Sequence, residues 1–201
     1  MELTFYTNPM SRGRIARWIL EEVGQPYETV VLDYATSMKA PDYLAVNPMG
    51  KVPALVHPGG VVTEVAAICC FLADAYPQAG LMPAERGAFY RWMFFGAGPV
   101  EQAVVNTAMG WVPSPERRRA VGYGCIEDVV ATLTGHLDGR RYFCGDAFSA
   151  ADVYVGSQIG WGLRFGTLPG NAVLSGYWDG IKERPALARA NALDDALMQK
   201  E

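Results

Sequence analysis

Residues 47–55 read NPMGKVPAL, and Pro53 within this stretch decides how the N-terminal part of the chain is interpreted. Pro53 stands at the beginning of a short apolar run that predicts a β-strand. Proline has no N–H group to donate to a sheet, so it is tolerated only at the start or the edge of a strand. A cis Val52–Pro53 bond would turn the N–H and C=O groups of Val52 towards solvent or a peptide-like ligand. A trans proline at an ordinary edge strand is the alternative, and the pattern leaves both open.

The segments before this stretch predict a β-α-β unit. LTFY at 3–6 and YETVVL at 27–32 are short runs rich in strand-forming residues. Between them, apolar residues recur every three or four positions from Ser11 onward, which indicates an amphipathic helix that Gly24 ends. Two strands joined through one helix are expected to be parallel.

The segments around and after Pro53 predict a hairpin followed by a helix. Apolar runs at 52–56 and 61–62 flank the turn residues HPGG, and helical spacing follows until Pro77. Residues 1–77 are therefore expected to form one domain around a mixed four-stranded sheet.

The remainder of the chain predicts a linker and an all-helical domain. Gly80 and Pro83 interrupt residues 78–86, directly after Pro77, and residues 87–201 show no alternating strand pattern. One helix, with Pro115 in its first turn, is predicted at 114–139, where the sequence reads SPERRRAVGYGCIEDVVATLTGHLDG. In FSAAD, Ser149 and Asp152 stand three residues apart, the spacing of a helix capping box.

Composition excludes several classes of function. The chain has 201 residues, half of them apolar, a net charge of −4 and a pI of about 5.3. This balance gives no basic face for nucleic acid. No run approaches the roughly 18 apolar residues that a membrane span needs, and the N-terminus lacks the pattern of a secretory signal. The four cysteines form no C-x-x-C pair, which favours a reduced protein of the cytoplasm.

Glu64 marks the junction between the hairpin and the next helix. A carboxylate at a helix N-terminus stabilises the helix dipole, and a simple cap is one interpretation. The functional interpretation is that free N–H groups of this first turn bind a ligand carboxylate, while Glu64 binds the ligand's ammonium group.

Four stretches stand out together: TNPMS, NPMGKVPAL, VTEVAAICCFLADAYP and FSAADVYV. In combination they resemble the cytosolic glutathione transferases, most closely the bacterial beta-like and theta-like members of the serine type. The resemblance covers nearly the whole chain. It implies a thioredoxin-like N-terminal domain (β-α-β-α-β-β-α) and a C-terminal helical bundle. It also implies a homodimer that uses glutathione as co-substrate for a small apolar electrophile, with no metal or tightly bound cofactor.

The resemblance assigns residues to the binding of glutathione. The resemblance implies a cis bond before Pro53, and Val52 is then expected to bond the cysteinyl backbone in the manner of an added strand. Glu64 and the amide of Val65 are expected to hold the γ-glutamyl end, although Val65 replaces the serine that is usual there.

Two lysines are further candidates for the glycyl carboxylate of glutathione. Lys51 is the first choice and Lys39 the second. A solvated surface lysine is the alternative for both, and it is favoured more strongly for Lys39.

The turn Asn8–Ser11 stands where thioredoxin-fold redox enzymes carry C-x-x-C, and it has no cysteine, so disulfide exchange is disfavoured. The resemblance assigns Ser11 as a hydrogen-bond donor to the sulfur of glutathione. Lowering a thiol pKa from about 8.5 by about two units requires about 2.7 kcal/mol. A hydrogen bond to a charged acceptor supplies about 1.5–3 kcal/mol and a helix N-terminus about 0.3–1, so no histidine is needed. The alternatives are that Ser11 only caps the helix, or that Tyr6 makes this bond.

The second-substrate cleft is predicted to include Met10, Glu101, Trp111 and Trp161. Aromatic residues at helical spacing are also typical of a core. The leading hypothesis is a glutathione transferase, and the alternative is a non-catalytic glutathione-binding or ligand-binding protein of the same fold.

Overall fold

A computed structural model describes residues 2–199 of the chain. The chain divides into two compact units. The first contains the residues up to Ala79 together with those from Arg184 onward, and the second is Gly80–Glu183. Within residues 2–199, no helix is both long and apolar enough to cross a membrane.

The first unit is built on a four-stranded mixed sheet. The strands, in chain order, are β1 (Thr4–Thr7), β2 (Glu28–Val31), β3 (Ala54–His57) and β4 (Gly60–Thr63). Their order in the sheet is β2-β1-β3-β4, with β1 and β2 parallel and the other two pairs antiparallel. The predicted parallel pair and hairpin are confirmed.

Four α-helices complete the first unit: α1 (Gly13–Val23), α2 (Pro41–Leu44), α3 (Val65–Ala75) and α9 (Pro185–Met198). Helix α1 connects β1 to β2, and Gly24 ends it in the left-handed conformation, as predicted. The thioredoxin-like order β-α-β-α-β-β-α is therefore confirmed.

Helix α9 belongs to the first unit, whereas the sequence grouped all of residues 87–201 with the helical domain. The reason is a set of ion pairs that join α9 to α1. Arg17, buried in α1, bonds Asp194 of α9 at 2.8 Å, and Glu22 accepts two bonds from Arg184. Pairs so distant in sequence leave no local pattern that could have predicted them.

The second unit is helical, as predicted. Its α-helices are α4 (Arg86–Phe95), α5 (Glu101–Met109), α6 (Ile126–Leu137), α7 (Ala150–Phe165) and α8 (Ala172–Ile181). A π-helical segment, Gly96–Val100, contains Pro99 and separates α4 from α5.

The single helix predicted at 114–139 is wrong. The structure has a 3-10 helix, Pro115–Ala120, and only then α6. Gly124 lies between them with a φ of 66°, which a continuous right-handed helix does not accommodate.

The capping box at the start of α7 is present. The buried carboxylate of Asp152 accepts bonds from the N–H and O–H of Ser149, the N–H of Phe143 and the hydroxyl of Tyr177, all at 2.8–2.9 Å. Burial raises the pKa of Asp152, and these hydrogen bonds oppose the rise.

Candidate functional site

Asn8 organises the turn between β1 and α1. Its Oδ1 accepts the N–H of Met10 at 2.9 Å, and its backbone O accepts the N–H of Ser11 at 3.0 Å. Its Nδ2 donates to the O of Leu32 at 2.9 Å, which fixes the turn against the end of β2. This is an Asx-turn, the conformation that Asn favours before proline.

The hydroxyl of Ser11 has two partners in this turn. It donates to the O of Asn8 at 2.7 Å and accepts the N–H of Gly13, in the first turn of α1, at 2.9 Å. Arg12 and not Ser11 occupies the N-cap position of α1, but the Ser11 hydroxyl still satisfies the N–H of the first helical residue. A hydroxyl has one proton, and that proton is directed at Asn8.

Tyr6, the alternative donor, lies on β1 with its ring 5.3 Å from that of Tyr43. Tyr6 and Val52 both pack against one cluster of buried residues, consisting of Leu32, Met38, Tyr43 and Ala54. The Tyr6 hydroxyl makes no hydrogen bond within residues 2–199. The structure therefore brings Tyr6 and Val52 to the same cluster, and the Tyr6 proton remains available.

The Val52–Pro53 bond is cis, which is the first of the two alternatives that the sequence left open. Pro53 is buried and Val52 is half-buried. Neither the N–H nor the C=O of Val52 has a hydrogen-bond partner among the described residues. The loop thus presents an unpaired donor and acceptor at the entry to β3, as a strand-like ligand requires.

Three side chains hold this loop. Tyr43 and Asn47 both donate to the O of Lys51, Asn47 at 2.7 Å. The ammonium of Lys39 donates to the O of Gly50 at 2.7 Å. Both lysines are exposed, and the ammonium of Lys39 stabilises the loop through this bond. The sequence reasoning did not identify Asn8, Tyr43 or Asn47, although the tripeptide Asn-Pro-Met occurs at both turns and signals an Asx-turn at each.

The N-terminus of α3 is open. Glu64 precedes the helix with φ 64° and ψ 121°, and its side chain makes no capping bond. Among residues 2–199 it is the only non-glycine residue with a positive φ. Such a conformation costs about 1–3 kcal/mol and is typical of functional sites. The N–H of Val65 has no partner within the described chain, so an anion can bind there.

The four residues predicted for the second-substrate cleft lie in both units. Met10, 77% exposed, is in the first unit. Glu101 begins α5, Trp111 follows α5 and is 67% exposed, and Trp161 is half-buried on α7, all in the second unit.

The sheet and helix order, the cis-proline loop and the open α3 N-terminus define a thioredoxin-like domain, which a helical unit accompanies in the same chain. Residues 10–75 match the family model described as the glutathione S-transferase N-terminal domain. Glutathione S-transferase GST-4.5 of Xanthomonas campestris is 28% identical, over 88% of this chain and 91% of the relative. Glutathione S-transferase 3 of Zea mays is 30% identical, over 94% and 93%.

A solved sphingomonad glutathione S-transferase complexed with glutathione is 31% identical and covers 96% of this chain and 98% of its own. Its TM-score against this structure is 0.76. The chain belongs to the glutathione S-transferase family, as the resemblance implied.

Proposed function

We propose that this protein catalyses the attack of the glutathione thiol on a small apolar electrophile. The observation that carries the proposal is the cis Val52–Pro53 loop, where the backbone groups of Val52 are unpaired. The cysteinyl residue of glutathione pairs with them as an added strand. The sphingomonad relative, which is complexed with glutathione, supports this ligand.

The γ-glutamyl end of glutathione is held at the start of α3 in this proposal. Its carboxylate accepts the N–H of Val65, and its ammonium group pairs with the exposed carboxylate of Glu64. The backbone N–H supplies this contact although Val65 has no hydroxyl. Lys51 binds the glycyl carboxylate, with Lys39 as the second candidate.

Ser11 donates a hydrogen bond from its hydroxyl to the sulfur and so favours the thiolate. To do this the hydroxyl turns away from the O of Asn8, which keeps the N–H bond from Ser11. The lost bond costs about 0.5–1.5 kcal/mol. The new charged bond contributes about 1.5–3 kcal/mol and the helix N-terminus about 0.3–1. The net gain is therefore about 0.3–3.5 kcal/mol, which lowers the thiol pKa by about 0.2–2.6 units.

Tyr6 is the second candidate for this donor, and a specific observation favours it. Its hydroxyl has no hydrogen bond within residues 2–199, and Tyr6 and Val52 pack against the same cluster. It therefore donates to a sulfur without giving up a bond.

The reaction uses glutathione as co-substrate and needs no metal or resident cofactor. Thiol deprotonation releases a proton to solvent, the sulfur forms a bond to an electrophilic carbon, and the leaving group departs with its electron pair. Met10, Glu101, Trp111 and Trp161 are the proposed contacts for the apolar substrate. The proposal includes a homodimer in the cytoplasm, with neither nucleic acid nor membrane as partner.

Retention on immobilised glutathione, combined with turnover of an electrophilic aryl chloride, tests the proposal. The wild type is expected to bind and to turn over, and Ser11→Ala to bind with most of the turnover lost. Loss in Tyr6→Phe with full activity in Ser11→Ala would transfer the donor role to Tyr6. Binding without turnover in the wild type would instead establish a glutathione-binding protein, and absence of binding would refute the proposal.

A further inference from the structure

A single arginine joins the turn that carries Ser11 to the C-terminal helix. Arg14 Nε donates to the O of Pro9 at 2.6 Å, and Arg14 Nη2 donates to Oδ1 of Asp195 in α9 at 2.6 Å. Bonds from a charged donor are about twice as strong as neutral ones. The guanidinium is planar and rigid, so holding Nη2 on α9 orients the Nε–H group that meets the turn.

The peptide group between Pro9 and Met10 is therefore held on both sides. Arg14 binds its C=O, and Oδ1 of Asn8 binds its N–H at 2.9 Å. A peptide plane bonded at both edges cannot rotate without losing one of these bonds. Ser11 follows one residue later, after Met10, so fixing this plane restricts the backbone that carries the Ser11 hydroxyl.

The second Asn-Pro-Met turn shows that the bond to Pro9 is not required for the turn itself. Asn47 accepts the N–H of Met49 at 3.1 Å and, through its backbone O, the N–H of Gly50 at 2.8 Å. The O of Pro48 accepts no hydrogen bond within residues 2–199. The same turn closes there without an arginine on the proline carbonyl, so Arg14 serves another purpose.

We infer that Arg14 and Asp195 form a clamp by which the C-terminal helix positions the Ser11 hydroxyl towards the glutathione sulfur. The inference rests on the proposed function. Both are positioning residues, since they act on the turn and not on the sulfur. Helix α9 supplies Asp195 from a place in the sequence more than 180 residues from Arg14, which makes the thiol-activating turn dependent on the end of the chain.

Asp195→Ala tests the clamp, with Arg189→Ala as its matched control. Arg189 also joins α9 to α1, through Glu21 at 3.1 Å, but at the far end of α1 from the turn. Asp195→Ala is expected to raise the pKa of the bound thiol by about 0.5–1 unit and to lower kcat about three- to tenfold. The Kd of glutathione is expected to stay within about twofold, because the Val52 and Glu64 contacts are unchanged. Arg189→Ala is expected to leave the thiol pKa and kcat at wild-type values.

Amide hydrogen exchange supplies a readout that does not depend on catalysis. The N–H groups of Met10 and Ser11 are expected to exchange faster in Asp195→Ala than in Arg189→Ala. A wild type that neither retains nor conjugates glutathione would overturn the proposed function, and this inference with it. An active wild type in which the two variants match in thiol pKa, kcat and exchange would overturn the clamp alone.

Discussion

Two turns of the first unit share the tripeptide Asn-Pro-Met and one scheme of hydrogen bonds. In each, Asn Oδ1 accepts the N–H of the methionine and Asn O accepts the N–H of the fourth residue, Ser11 or Gly50. In each, Asn Nδ2 donates to a backbone carbonyl outside the turn, that of Leu32 or Lys51. Both methionines are largely exposed.

The turns differ in the fourth residue and in the cation that holds them. The first ends in Ser11 and leads into α1, with Arg14 on the O of Pro9. The second ends in Gly50, with Lys39 on its O, and leads into the cis-proline loop. An identical local structure thus presents a hydroxyl in one place and an unpaired backbone in the other. The tripeptide builds the turn, and the residues around it decide what the turn offers a ligand.

Replacing the fourth residue of the second turn should have the largest effect. Gly50 has a φ of 56°, and a Cβ there would lie 2.7 Å from the O of Met38. Gly50→Ala is expected to lower the free energy of unfolding by about 2–4 kcal/mol, because left-handed strain and overpacking add. Urea denaturation measures this loss. The control Gly110→Ala, with φ 71° and open space around it, should lose only about 1 kcal/mol. Equal losses would mean that the loop yields to the added methyl group.

The two asparagines should separate binding from turnover. Asn8→Ala and Asn47→Ala each remove two side-chain hydrogen bonds that are buried or partly buried, and each is expected to cost about 1–3 kcal/mol of stability. Asn47→Ala should weaken the Kd of glutathione, because it releases the loop before Val52. Asn8→Ala should lower kcat with a smaller change in Kd, because it releases Ser11. Titration calorimetry and steady-state kinetics measure the two effects, and the same profile in both variants would contradict the division of roles.

Lys39 should give the smallest effect and can show which partner its ammonium serves. Lys39→Met is expected to weaken glutathione binding about two- to fivefold, as for an exposed charge. If Lys39 only holds the O of Gly50, the loss is equal for glutathione and for its glycyl ethyl ester. A loss confined to glutathione would assign Lys39 to the glycyl carboxylate. Lys51→Met, measured with the same two ligands, is the comparison, because the Lys51 side chain is exposed.

Much of the first unit could be predicted from local sequence. The strand runs, the helical spacing after Ser11, Gly24 and the HPGG turn each act over a few residues, and β1, α1, β2 and the hairpin follow from them. The capping box of α7 could also be predicted from the sequence, since Ser149 and Asp152 lie within one turn. The helix predicted at 114–139 failed because spacing alone does not reveal that Gly124 adopts a positive φ.

The candidate site also contains residues that could be predicted from the sequence and contacts that could not. Its residues at Pro53 and Glu64 could be chosen from the sequence, because proline at a strand start and a carboxylate at a helix start are local signals. The partner of Arg14 could not be predicted, because no sequence pattern in α9 indicates the helix against which it packs.

The sequence by itself determined the four strands, the helices that follow β1 and β4, the capping box of α7 and the family, since each depends on residues close together in the chain. Only the tertiary structure decided that α9 joins the first unit, that Ser11 directs its proton to Asn8, and that Arg14 links Pro9 to Asp195. The physical reason is that a hydrogen bond is specific to a distance and a direction, which only the folded chain sets.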